Sequence, residues 1–221
     1  SLRRSLDDLG EPAAVVIVAV NSHCPLARRY LPVLASTEQG YRERGVAFVG
    51  LDVDSSDTVT QMAALQVDSG AAFPFVKDVE GRCVAALGLQ RTPEVVLLDG
   101  ERRIRYRGRI DDQFRIGGSL PAPKSQPLRK ALVQVLAGEE VTLPETTVDG
   151  CLITPVEPTA APETAPSYTR EVAPIVRAHC QRCHRPGDVA PFTLSSHAEI
   201  KAQAAMIAEV VADRRMPPWY G

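Results

Sequence analysis

The residues with the most defined chemistry are Cys180, Cys183 and His184, in the run Cys180-Gln181-Arg182-Cys183-His184. Two thiols three residues apart, with a histidine directly after them, form the spacing that attaches a c-type haem. Both sulfurs can form thioethers to the haem vinyl groups from one turn of backbone, and the imidazole is then held under the iron as proximal ligand. The competing use, a zinc site, needs four closed ligands, and the nearby His179 and His197 stand at spacings that fit no common zinc pattern. A sixth iron ligand is expected from Met216, because Arg214-Arg215-Met216-Pro217-Pro218-Trp219 follows a helix and its prolines hold the thioether in an extended loop. The alternatives are Met206, which lies inside a predicted helix and reads as a core filler, and His197, which sits near a helix start and reads as exposed. His plus Met ligation raises the haem potential and fills both axial positions, which suits electron transfer.

A second centre is Cys24, in Asn21-Ser22-His23-Cys24-Pro25-Leu26-Ala27-Arg28-Arg29-Tyr30. It falls where a strand hands over to a helix, so its sulfur sits near the positive helix end, which favours thiolate. Position 27 is alanine, so Cys24 has no partner at the C-x-x-C spacing and a local dithiol cycle cannot run. Two other thiols remain as resolving partners. Cys151, in Val148-Asp149-Gly150-Cys151-Leu152-Ile153, is on a flexible approach from which it could fold back toward Cys24, whereas Cys83 reads as a small buried hydrophobe in a helix with Ala85, Ala86 and Leu87. His23 either biases the thiolate or points to solvent.

The elements that must position these groups alternate strand and helix. Ala13 to Val20 is a β-branched run fit for a buried central strand, Leu26 to Glu43 is helical, and Val46 to Val53 is a second buried strand. A helix over Thr58 to Gln66, a strand over Phe73 to Lys77 and a short helix near Cys83 to Leu87 follow. Val95 to Leu98, the Asp99-Gly100 turn and Ile104 to Arg109 read as a hairpin, and Leu128 to Leu136 as a closing helix. Arginines between 102 and 109 alternate with apolar residues, as on the solvated face of a strand. Further on, Glu171 to Arg177 and Ser195 to Asp213 read as helices, the second with Ile200, Ala204, Ile207 and Val211 as its buried stripe.

Between these parts Thr154 to Ser167 is rich in proline and small residues, which removes both helix and ladder pairing. Such a linker is semi-rigid and could separate two domains by up to roughly 40 Å. The 221 residues suit one ordinary domain and a smaller one, and the 44% hydrophobic content is that of a globular protein. A net charge of −2 gives no basic field to recruit nucleic acid, and no apolar run approaches the ~18 residues that span a membrane. The chain starts at Ser1 without a visible signal peptide, so an export signal is expected to have been trimmed or left out.

Two resemblances extend this reading. Cys180, Cys183 and His184, with Pro186-Gly187, Ala190-Pro191-Phe192 and Arg215-Met216-Pro217-Pro218-Trp219, make Tyr168 to Gly221 resemble the small cytochrome c domains of multidomain bacterial proteins. Relatives place another helix after the methionine loop and often continue into a copper-dependent monooxygenase-like region; the chain stops at Gly221, so a truncated module is expected. The strand and helix order, Cys24, the Arg91-Thr92-Pro93-Glu94 run, Gly45-Val46-Ala47-Phe48 and Tyr106-Arg107-Gly108-Arg109-Ile110-Asp111-Asp112 make residues 1–153 resemble the redoxin family of thioredoxin-like proteins. That resemblance implies a mixed sheet covered on both faces, with Thr92 and Pro93 in a cis-proline loop facing Cys24. Two departures stand out: Ala27 removes the dithiol partner, and Asn21 occupies the position where peroxiredoxins place Thr or Ser, without their upstream proline.

The resulting expectation is an α/β thioredoxin-like domain (1–153), a linker (154–167) and a small all-α cytochrome c-like domain (168–221). One covalent haem c, held by Cys180, Cys183, His184 and Met216, would transfer electrons for a periplasmic or otherwise exported bacterial protein, with a redox partner protein or a further domain of a longer chain. The export follows from the maturation of c-type cytochromes outside the inner membrane. The alternatives are thiol–disulfide oxidoreduction or peroxide reduction at Cys24, with Thr92, Pro93 and Cys151 completing the site, and a docking module that keeps the fold without catalysis.

Overall fold

The computed structural model describes residues 4–154 and 166–218. The chain divides into two compact units, Ser1–Val53 with Asp57–Cys151, and Asp54–Ser56 with Leu152–Gly221. Most of the expected linker lies outside the described residues, as does Trp219. Among the described residues, no helix is long and apolar enough to cross a membrane.

The first unit is built on a five-stranded mixed sheet. β1 (Ala14–Val20) is its middle strand, pairing in parallel with β2 (Val46–Asp52) and antiparallel with β5 (Glu94–Asp99). β3 (Phe75–Lys77) lies outside β2, and β6 (Ile104–Gly108) outside β5, giving the order β3-β2-β1-β5-β6. Every residue of β1 is buried, so both faces of the sheet are covered there, as a continuous β-branched run requires. The parallel β1–β2 pair follows from the helical crossover α1 (Pro25–Tyr41) between them. Val16, Val18 and Val20 pack with Leu31 and Leu34 of α1 and with Leu128 and Leu132 of α4 (Pro127–Leu136) in the main core. This is the thioredoxin-like arrangement expected from the sequence.

Local signals account for the smaller elements. α2 (Val59–Ser69) starts at a capping box between Thr58 and Gln61 and stops at Gly70 in the left-handed conformation. On β6 Tyr106 is buried, while Arg105 pairs with Asp99, as Arg103 does just before the strand, and Arg107 pairs with Glu145. The short helix α3 (Arg82–Leu87) corrects one expectation: Cys83 is exposed, because Val84 and Leu87, three residues apart, turn inward instead.

The second unit is helical where it is regular. A π-helical turn over Tyr168–Val172 leads into α5 (Ala173–His179), followed by α6 (His197–Ala202) and α7 (Ala204–Ala212). Val176, Leu194 and Ile200 form its small core, with Cys180, Phe192 and Ile207 against it. The single helix expected over Ser195 to Asp213 is broken at Gln203, where the backbone leaves helical geometry. The break rotates α7 relative to the stripe that starts at Ile200, so Ala204 and Val211 are exposed rather than buried.

Candidate thiol site and haem motif

Cys24 is the N-cap of α1, and its position is set by Asn21. The Asn21 side-chain oxygen accepts from the backbone N–H of Cys24 at 2.6 Å and of His23 at 3.1 Å, fixing the turn between β1 and α1. The Cys24 sulfur in turn accepts from the Ala27 N–H at 3.4 Å, so it takes the capping role that Ser or Asp commonly fills. In the sequence Asn21 reads only as a departure from the peroxiredoxin pattern; an asparagine three residues before a helix-capping cysteine is the signal for this role.

The Thr92–Pro93 peptide is cis, as expected, and Thr92 lies against Cys24. The Cys24 thiol donates to the Thr92 carbonyl oxygen at 3.0 Å. The Thr92 hydroxyl is buried with no hydrogen-bond partner in this thiol form, and the Cys24 sulfur lies within its reach. The carbonyl favours the thiol, whereas the hydroxyl is poised to donate to a thiolate.

Cys151 lies against the Cys24 cluster, and it does so from a short strand rather than the flexible approach expected. Arg107 donates its N–H to Pro144 O and accepts from Thr146 N–H, so the chain runs beside β6 before reaching Cys151. The Thr146 hydroxyl bonds Tyr106 Oη at 2.7 Å and accepts from Arg109 N–H at 3.0 Å. Arg91 Nη1 donates to Gly150 O at 2.9 Å, and β9 (Cys151–Leu152) then pairs with β4 (Arg91–Thr92). Cys151 thereby packs against the buried cluster of Cys24, Leu26 and Ala27, with its thiol beside the Cys24 sulfur. Cys83 takes no part in this cluster.

Phe114 closes the same cluster. Tyr30 Oη donates to Asp111 Oδ1 at 2.7 Å and accepts from the Phe114 N–H at 2.9 Å, which ties α1 to β7 (Phe114–Arg115). The Arg29 guanidinium lies 4.3 Å from the Phe114 ring centre. Neither Phe114 nor its clasp was legible in the sequence.

Burial pushes the Cys24 thiol up, but the Cys151 thiol, the Thr92 hydroxyl facing the sulfur and the Ala27 N–H favour the thiolate and together outweigh it, lowering the pKa from 9.0 to about 6. His23 neither contacts that sulfur in a way that accounts for this shift nor points to solvent. Its Nε2 lies 3.1 Å from Asp57 Oδ1, with Ser22 N–H donating to the same carboxylate at 2.7 Å. Asp57 is buried, which disfavours its charge, yet these bonds from His23 and Ser22 hold it below the ordinary carboxylate range.

In the second unit, Cys180 and Cys183 stand on the turn that ends α5. Cys180 N–H donates to Val176 O at 2.8 Å, and Cys183 and His184 N–H both donate to Cys180 O. The loop that follows returns over this turn, with Leu194 N–H on His184 O at 2.9 Å and Gln181 Nε2 on Leu194 O at 2.8 Å. His184 Nδ1 is 3.0 Å from Phe192 O. A carbonyl only accepts, so that bond puts the ring proton on Nδ1 and leaves Nε2 as the electron-pair donor. Met216 is 42% exposed after α7, its N–H on Val210 O. Met206 Sδ accepts from Leu152 N–H at 3.4 Å, and His197 is exposed at the start of α6 with its ring against Tyr168.

A mixed sheet with a helix-capping cysteine opposite a cis-proline loop defines a thioredoxin-like protein. The redoxin family model matches residues 5–115, just over half of the chain, and the chain belongs to that family. Among solved structures, it is similar to a hypothetical protein from Sinorhizobium meliloti 1021, at 26% identity and a TM-score of 0.62, covering 69% of this chain and 85% of that one. An uncharacterized conserved protein from Geobacillus kaustophilus is 27% identical with a TM-score of 0.62, covering 70% and 83%. A secreted disulfide oxidoreductase from Mycobacterium tuberculosis is more distant, at 16% identity and a TM-score of 0.41, covering 60% and 85%. No curated protein matches the chain.

Proposed function

We propose that the chain is a thiol–disulfide oxidoreductase in which Cys24 and Cys151 cycle between two thiols and one disulfide. The observation that carries this reading is the packing of Cys151 against the buried cluster that holds Cys24, the N-cap of α1. Cys151 supplies in space the partner that Ala27 removes from the C-x-x-C position. The cycle needs no peroxide, although the same thiolate could attack one; the docking-module reading requires instead an inert Cys24. Mild oxidation followed by non-reducing digestion tests the proposal: a linked Cys24–Cys151 peptide supports it, and a Cys24 that stays reduced contradicts it.

A second reading, carried by the His184–Phe192 bond, is that Cys180, Cys183 and His184 hold one haem c. The donor set fits: two thiols on one turn for the thioethers, and an imidazole whose remaining nitrogen is available to iron. When bound, the haem supplies a one-electron couple. Cys180 and Cys183 would anchor it, the Phe192 carbonyl would orient the His184 ring, and Met216 would be a further ligand to it. Covalent haem attachment would also place the protein outside the bacterial inner membrane, a compartment that admits disulfides.

A further inference from the structure

We infer that external thiols reduce the Cys24–Cys151 disulfide by attacking Cys151, so that Cys24 is the leaving group and does not carry the mixed disulfide. The inference rests on the proposed Cys24–Cys151 couple and assigns a role to each sulfur.

Access separates the two. A thiolate must reach the sulfur that it attacks, and Cys24 is 1% exposed, enclosed by Leu26, Ala27 and Phe114. Cys151 is partly exposed at the start of a two-stranded ribbon. The leaving role points the same way. Negative charge developing on the Cys24 sulfur meets the Ala27 N–H at 3.4 Å at the start of α1, and the Thr92 hydroxyl, which has no partner in the thiol form. These donors await a thiolate. The lowered pKa of Cys24 agrees, since a disulfide opens faster when the departing thiol is the more acidic.

The step balances with two equivalents of a thiol. The first thiolate bonds to Cys151 Sγ, the bond to Cys24 breaks, and its electron pair stays on Cys24 as thiolate. The second thiolate attacks the outer sulfur of the mixed disulfide and leaves as the external disulfide. Cys151 departs with the electron pair and takes a proton. Two thiols are oxidised and one protein disulfide is reduced.

Glutathione is the probe. The oxidised full-length chain is mixed with glutathione, quenched in acid and peptide-mapped. In parallel, Cys24→Ser and Cys151→Ser are each treated with glutathione disulfide. The expected result is glutathione on Cys151 in the quenched chain, a mixed disulfide on Cys151 in Cys24→Ser, and modification of Cys24 in folded Cys151→Ser at least about tenfold slower. Glutathione on Cys24 in a chain that had formed the Cys24–Cys151 bond overturns this inference alone. Absence of that bond after oxidation overturns the underlying couple, and the inference with it.

Discussion

Gly150 approaches Thr92 so closely that a Cβ at position 150 would overlap the Thr92 carbonyl oxygen. That carbonyl accepts the Cys24 thiol, and the residue after Gly150 is Cys151. The missing side chain therefore lets β9 lie against β4 and sets the sulfurs beside each other. Gly150→Ala must displace backbone, so it should destabilise the first unit by about 1–3 kcal/mol. It should also lower the yield of Cys24–Cys151 disulfide at a fixed glutathione poise, with thermal melting and peptide mapping as the readouts.

The acidity of Cys24 gives a pH signature. Alkylation of Cys24 in the reduced protein by a small neutral reagent should rise with a midpoint at about pH 6. In Cys151→Ser that midpoint should move, because the Cys151 thiol makes the largest of the contributions that lower it. The folded pKa lies below the unfolded value of ~8.5, so ionised Cys24 contributes stability that is fully present above the unfolded pKa and is lost as pH falls through about 6. Denaturant midpoints of the reduced protein and Cys24→Ala should diverge progressively between these limits as pH rises.

Thr92→Val keeps the shape of the side chain and removes the hydroxyl. With one donor to the thiolate gone, the alkylation midpoint of Cys24 should rise by roughly one pH unit, the scale of a hydrogen bond to a charged group. Because the hydroxyl has no partner in the thiol form, stability at pH 5 should change little. A large loss of stability there would show that the hydroxyl serves the fold instead.

Much of the first unit was legible because its elements carry strong local patterns. The β-branched run of β1, the Thr58-to-Gln61 capping box and the β5–β6 hairpin each declare themselves within a few residues. Cys24 could be placed at its strand-to-helix junction for the same reason, and the cis Thr92–Pro93 bond through the resemblance to the redoxin family. The ordered seat of Cys151 could not, since it depends on pairing with β4 some sixty residues earlier and on Gly150 fitting against Thr92. The break at Gln203 was hidden too: neither Gly nor Pro marks it, and the apolar spacing runs on through Ala204 and Ile207. Cys83 was misplaced because a six-residue helix offers too few turns for a stripe to be read.

For the haem motif, protein matured in a host that attaches c-type haem should keep its haem through acid-acetone extraction. Cys180→Ala with Cys183→Ala should release it. A methionine-to-iron charge-transfer band in the oxidised near-infrared spectrum should vanish in Met216→Ala and persist in Met206→Ala; the opposite pattern assigns the sixth ligand to Met206.

The most direct test of the thiol couple is a redox titration of the full chain over a series of glutathione poises, with alkylation of remaining thiols and mass-spectrometric peptide mapping. The account predicts that Cys24 and Cys151 lose their thiols together at one midpoint, in a linked peptide restored by excess thiol, while Cys83 follows neither. Loss of Cys151 with Cys24 still alkylated after denaturation at every poise, or a linked peptide joining Cys24 to Cys83, would contradict it.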